Sequence, residues 1–320
     1  MMEKYFSSAP KRNLTMGVEM EGYLWDKHNE DLLRDENILN KILDELPTAI
    51  TRDYYVYQIE VRTLPHNTPA ELLDELKKNL KLAEKVCNKY DVKIIPLSWM
   101  GGGEMFNGLH MHFRNADRNN FEQMLFNVYP FVLALTDVFK FSPLNRGKLS
   151  YRFSKSVHIQ MPALREMVKS QRYSDVCLNQ HKENTRHRLK KVNTMELRTF
   201  DIPFNFDYMS NLTNLMYNIV TFIHNREKVG CTSYIDMENK IDKTRKSIMN
   251  DQVGYNYVFD DYNVSIYKWL CEKFNVEKMK VPFHLENSHK LKDYVNTLDV
   301  KSYLGEEVKE APKVEGATYY

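Results

Sequence analysis

The chain has 320 residues, 42% of them apolar and 28% charged, enough for a full globular core. Its 45 basic and 43 acidic residues leave a net charge of +2, which argues against general affinity for nucleic acid. The longest apolar run, around Phe131 to Leu135, is far short of the roughly 20 residues of a membrane span.

The polar stretch 1–13 lacks the apolar centre of a signal sequence. Cys87, Cys177, Cys231 and Cys271 form no CxxC pair, so the expectation is reduced thiols in a cytoplasmic protein, not a disulfide framework or structural zinc.

In chain order, a first strand is predicted over Thr15 to Trp25, followed by a polar connection from Asp26 to Asp35. Ile38, Ile42 and Leu46 give a short helix over Glu36 to Leu46, ended by Pro47. Tyr54 to Leu64 is a second strand region. Thr68-Pro69-Ala70-Glu71 is a capping box with proline at the first helical position, and Leu72, Leu76, Leu80, Ala83 and Cys87 form the buried stripe of the helix that follows. Val92 to Leu97 is a strand. Gly101-Gly102-Gly103 is a flexible loop, since neither GK[ST] nor a helix start follows it.

A strand around His110 comes next, then an apolar helix over Phe121 to Phe139 that Ser142-Pro143 ends. Pro162 to Gln171 is an amphipathic helix, and Asp175 to Asn193 is irregular or hairpin-like. Asp207 is expected to cap a helix running to about Glu227, with helical periodicity continuing to Leu304 and a flexible tail over 305–320.

Four short stretches carry the chemistry: Val18-Glu19-Met20-Glu21, Gln58-Ile59-Glu60-Val61-Arg62, Leu109-His110-Met111-His112-Phe113 and Met195-Glu196-Leu197-Arg198-Thr199-Phe200. Each alternates with the two-residue period of a strand. In the last, Met195, Leu197 and Thr199 should face one way and Glu196, Arg198 and Phe200 the other. If all four lie in one sheet, Glu19, Glu21, Glu60, His110, His112, Glu196, Arg62 and Arg198 share one surface. Any one stretch alone reads as a half-buried strand or a surface ion pair.

Carboxylate oxygens with a little imidazole suit magnesium or manganese. Two carboxylates at i and i+2 lie roughly 7 Å apart, from the ~3.3 Å rise per residue, which fits two neighbouring ions better than one. Two such ions neutralise the charge on ATP phosphates during phosphoryl transfer, and arginines hold the transferred group. Like charges would crowd this face without a cation, so removing Glu19 is expected to stabilise the metal-free protein.

In order and spacing these motifs resemble those of the glutamine synthetase-like carboxylate-amine ligases. The resemblance is strongest to the second family of glutamate–cysteine ligases and to the amidoligases. Phe141-Ser142-Pro143, Gly147 and Ser150-Tyr151-Arg152 resemble a segment of the former, and the likeness covers roughly residues 15–205.

It implies an α+β fold, a largely antiparallel curved sheet with helices on its outer face. It also implies an ATP- and magnesium-dependent (or manganese-dependent) enzyme that joins a glutamate or peptide carboxylate to an amine through an acyl phosphate. One domain is then expected over 15–304, after an N-terminal extension. Glu19, His110 and Glu196 would hold one metal, and Glu21 and Glu60 the other, with Asp53 the candidate third ligand. Arg198, Arg152 and Arg62 would face the phosphates or the carboxylate substrate. His112 and Arg188, the latter in the basic run 186–191, are candidates for nucleotide contact.

Two other classes stay open: a zinc hydrolase built on His110 and His112, whose further histidines His158, His181 and His187 sit in no matching spacing, and a nucleotide-binding relative without turnover. A homo-oligomer is also left open.

Overall fold

The structure is a computed structural model that describes residues 14–98, 107–114, 128, 131–132, 135, 176–179, 194–203, 205–224, 256–259, 262–265 and 297–306. Strand β1 (Thr15–Asp26) is its spine. Met16, Val18 and Met20 point into the main core, while Gly17, Glu19 and Glu21 alternate onto the other face.

Around β1 lie β2 (Asp31–Leu32), β3 (Ile50–Arg52), β4 (Gln58–Arg62), β5 (Val92–Ile95), β6 (Leu109–Arg114), β7 (Val176–Asn179) and β8 (Thr194–Phe200). They form an eight-stranded sheet in the order β3-β4-β1-β6-β8-β7, with β2 and β5 also paired to β1. Every described pairing in it is antiparallel. The α+β expectation therefore holds for the described residues.

Helix α1 (Glu36–Asp44) stops two residues earlier than expected, and it buries Leu39 and Ile42. Its N-cap is Asp35, whose carboxylate accepts the N–H groups of Asn37 and Ile38. Helix α2 (Pro69–Asn88) begins where the capping box predicts. Thr68 accepts from the Glu71 N–H, and its hydroxyl donates to the Glu71 carboxylate. The stripe Leu72, Leu76, Leu80, Ala83 and Cys87 is fully buried against the sheet. Each such leucine contributes roughly 1.5–3 kcal/mol by leaving water.

Helix α3 (Phe206–His224) packs on α2, and Tyr217 donates its hydroxyl proton to the Asn67 carbonyl. Its cap is Asn205 and not Asp207: the Asn205 Oδ1 accepts the Tyr208 N–H at 3.0 Å, leaving Asp207 inside the first turn. Val128, Phe131, Val132 and Leu135, from the predicted apolar helix, are helical and join the same core.

The region after residue 230 is not helical throughout. β9 (Asn256–Phe259) and β10 (Tyr262–Ser265) form a separate antiparallel pair, in keeping with their aromatic and β-branched content. Helix α4 (Val300–Tyr303) is capped by Asp299. Beyond it, Glu306 is ion-paired with Lys81 and Lys77 of α2, and residues 307–320 of the expected tail lie outside the described residues. The triple glycine and the predicted helix over 162–171 lie outside the described residues.

One strand departs from simple alternation. Met111 pairs with Leu197, but Leu109 pairs with Phe200, so β8 uses three steps where β6 uses two. This bulge inserts one residue and reverses the facing beyond it. Phe200 is therefore buried in the main core with Met195 and Leu197, not on the face of Glu196 as simple alternation predicted. Among the described residues, no helix is long and apolar enough to cross a membrane.

Candidate metal centre

Register brings the polar face together. Glu19 stands opposite Arg62 on one side and His110 on the other. Glu21 stands opposite Glu60, and His112 opposite Glu196. Because β4, β1, β6 and β8 are adjacent, residues of four strands meet on one surface.

His110 is buried between the two acids of β1, its Nδ1 3.4 Å from Glu19 Oε2 and its Nε2 3.3 Å from Glu21 Oε1. Its Nδ1 also lies 3.6 Å from Glu196 Oε1. His112 Nε2 reaches Glu19 Oε2 at 3.3 Å. Each arginine lies along its own strand. Arg62 Nε is bonded to the Glu60 carboxylate and stands 4.0 Å from Glu19, and Arg198 Nη1 is 2.5 Å from Glu196 Oε1.

Burial and partners set the charges. Burial alone pushes the Glu19 carboxyl up, but hydrogen bonds and positive charge from His110 and His112 overturn this and hold it well below the usual carboxylate range. Glu60 goes the other way: burial, then the Glu19 charge, raises its carboxyl although Arg62 opposes the shift. The His112 imidazole is lowered by burial, yet the bond and charge of Glu19 and the charge of Glu196 raise it overall. Glu60 is thus a disfavoured carboxylate of this face, through burial first and the Glu19 charge second. Glu19, expected to be the crowded one, is held by two histidines.

Among the described residues, three groups have ligand atoms mutually within 4.8 Å: Glu19 with His112 and Glu196, Glu19 with Glu60 and His110, and Glu21 with Asp53 and Glu60. Each offers at least two carboxylates and no more than one imidazole, a donor set that fits magnesium or manganese. Asp53 is more open than Glu21 and Glu60 and joins through the turn before β4. His112, expected near a nucleotide, joins His110 in offering a ring nitrogen close to carboxylate oxygens of Glu19 and Glu196. Arg152 and Arg188 lie outside the described residues.

No family model matches the chain, and no curated protein matches it. Among solved structures, the glutamate–cysteine ligase of Francisella tularensis in complex with AMP aligns with a TM-score of 0.52 and 13% identity, over 92% of this chain and 83% of that one. The chain has a glutamine synthetase-like carboxylate-amine ligase fold. Two further structures align with a TM-score of 0.47. One is a bifunctional glutathione synthetase from Pasteurella multocida, 12% identical over 94% of this chain and 55% of that one. The other is the complex of the prokaryotic ubiquitin-like protein Pup with its ligase PafA, 11% identical over 93% of this chain and 68% of that one.

Within the glutamine synthetase-like fold, the polar face of β4, β1, β6 and β8 is where period-two patterning and strand order converge. Sequence reasoning missed the backbone holding Glu21, whose Oε2 accepts the Gly108 N–H at 2.6 Å. A glycine directly before the β6 motif was the available signal.

Proposed function

We propose that the protein is an ATP- and magnesium-dependent carboxylate-amine ligase acting on a glutamate or peptide carboxylate. The observation that carries this reading is the meeting of Glu19, Glu21, Glu60, His110, His112 and Glu196 with two arginines on one face of the sheet. The Glu19–His112–Glu196 and Glu21–Asp53–Glu60 groups are the sites for divalent ions, Glu19–Glu60–His110 lying between them. Bound there, such ions supply neutralising charge to a polyphosphate.

The chain's own contribution is positioning and charge. Arg62 and Arg198 are ion-paired to Glu60 and Glu196, which holds both guanidiniums at the edge of the acidic face. A guanidinium matches phosphate oxygens with two parallel donors. In the proposed reaction a carboxylate oxygen attacks the γ-phosphorus of ATP, and the bond to ADP breaks. The amine nitrogen then attacks the acyl carbon, phosphate leaves, and the nitrogen loses a proton. The arginines stabilise charge spreading over the transferred phosphoryl group.

ADP release is the direct test, measured with ATP, magnesium and glutamate, with and without a panel of amines. Release that depends on both carboxylate and amine is expected; release indifferent to every carboxylate offered overturns the reading. The zinc hydrolase is disfavoured because no group among the described residues combines His110 with His112. Tightly bound stoichiometric zinc would favour it instead.

A further inference from the structure

Beside the Glu21–Asp53–Glu60 group runs a buried line of side-chain amides, starting at Gln58, two residues before Glu60 on β4. Gln58 and Asn107 are both buried, and Gln58 Nε2 donates to Asn107 Oδ1 at 2.8 Å. At one end, Gln58 Oε1 accepts the Tyr55 N–H at 3.3 Å. At the other, Asn107 Nδ2 donates to the Leu97 carbonyl at 3.1 Å. A backbone N–H can only donate and a carbonyl can only accept, so both amides are oriented by main chain.

Both ends of this line lead to acids. The residue after Asn107 is Gly108, whose N–H holds Glu21. Tyr55 lies two residues after Asp53 in a turn that Gln58 also grips through its backbone: the Asp53 N–H donates to the Gln58 carbonyl, and the Gln58 N–H to the Tyr55 carbonyl. Strand register sets Glu21 opposite Glu60, and the Gly108 N–H fixes the Glu21 carboxylate. Asp53 is not on a strand, and it must be held beside two like charges before any cation arrives.

We propose that Gln58 and Asn107 are positioning residues that hold Asp53 and Glu21 at one-ion spacing, so that this group is formed ahead of the cation. The inference rests on the proposed divalent-ion role of the face. Buried polar runs in which each nitrogen and oxygen has a partner rigidify what they join, and outer partners of metal ligands typically change affinity 10–100-fold when removed.

Manganese titration of the full chain, with free ion read by electron paramagnetic resonance, tests it. Gln58→Met and Asp53→Asn should weaken the same class of bound manganese by about 10-fold or more. The double variant should be little weaker than either single one, and ions lost in Glu196→Gln should be unaffected. A folded Gln58→Met protein with every wild-type affinity intact overturns the positioning role, as does a uniform loss from all classes.

Wild-type protein provides a second reading that needs no core variant. The Tyr55 amide should exchange slowly in metal-free protein and be little slowed further by manganese. Fast exchange that slows only when manganese binds means that the cation, not the amides, forms the turn. Wild-type protein that binds no manganese removes the metal reading itself, a different failure from either of these.

Discussion

Glu19 and His110 face each other across the β1–β6 ladder, with His110 Nδ1 3.4 Å from Glu19 Oε2. This contact, with the one from His112, makes Glu19 a stabilised carboxylate, whereas burial and then the Glu19 charge disfavour the Glu60 carboxylate. A group held below its usual value contributes stability above that value, and one pushed up contributes only in acid. At neutral pH without metal, Glu19→Gln should therefore lower Tm and Glu60→Gln should raise it. Both should lose magnesium-induced stabilisation. Thermal melts in EDTA and in magnesium check this, and equal stabilisation by magnesium in wild type and Glu19→Gln would remove Glu19 from the centre.

Arg198 shares its edge of the face with Glu196, and the guanidinium is partly exposed. Its effect should come when charge spreads over a transferred phosphoryl group. Arg198→Lys should lose on the order of 10²-fold in kcat, scaled from the cost of deleting one preorganised donor. KM for ATP should move far less. A surface ion pair would instead leave kcat unchanged and cost at most ~1 kcal/mol of stability. Steady-state kinetics decides.

The raised His112 imidazole predicts a pH dependence in metal-free protein. Its stabilising contribution is complete below the ordinary value of 6.5 and is lost as pH rises through the higher folded value. Between pH 6 and 8.5 in EDTA, wild type should lose Tm that His112→Gln does not lose. Manganese binding should run the other way and tighten with pH, since an imidazole must shed its proton to ligate. Parallel stability slopes in the two proteins would refute the pairing with Glu19.

Thr68→Ala provides the contrast. It removes the cap of α2, which packs behind the sheet and carries none of the metal-centre acids. A loss of about 1 kcal/mol in denaturant unfolding is expected. Magnesium binding per folded molecule should not change, and a change in it would mean that α2 reaches the site.

Much of the polar face was legible before any coordinates. A two-residue period is local, so Glu19 with Glu21, Gln58 with Glu60 and Arg62, and His110 with His112 had to share faces once their segments were strands. The cap of α2 was legible for the same reason, since Thr68 and Glu71 satisfy each other within one turn. The β9–β10 pair departs from the helical expectation because segments of four residues are too short for a helical and a strand period to be told apart.

Other features depended on contacts between distant segments. Strand order and register put Glu19 between Arg62 and His110, and neither is encoded in the spacing of the motifs. The β8 bulge sends Phe200 to the core although the sequence alternates through it, because an extra residue is accommodated only against a partner strand. Asp53 reaches Glu21 and Glu60 through a turn gripped by Gln58, which is bonded in turn to an asparagine 49 positions away. Local periodicity chose the residues of this face. Pairing between remote segments chose which of them touch, because hydrogen-bond ladders and buried amides are satisfied only when the whole sheet has assembled.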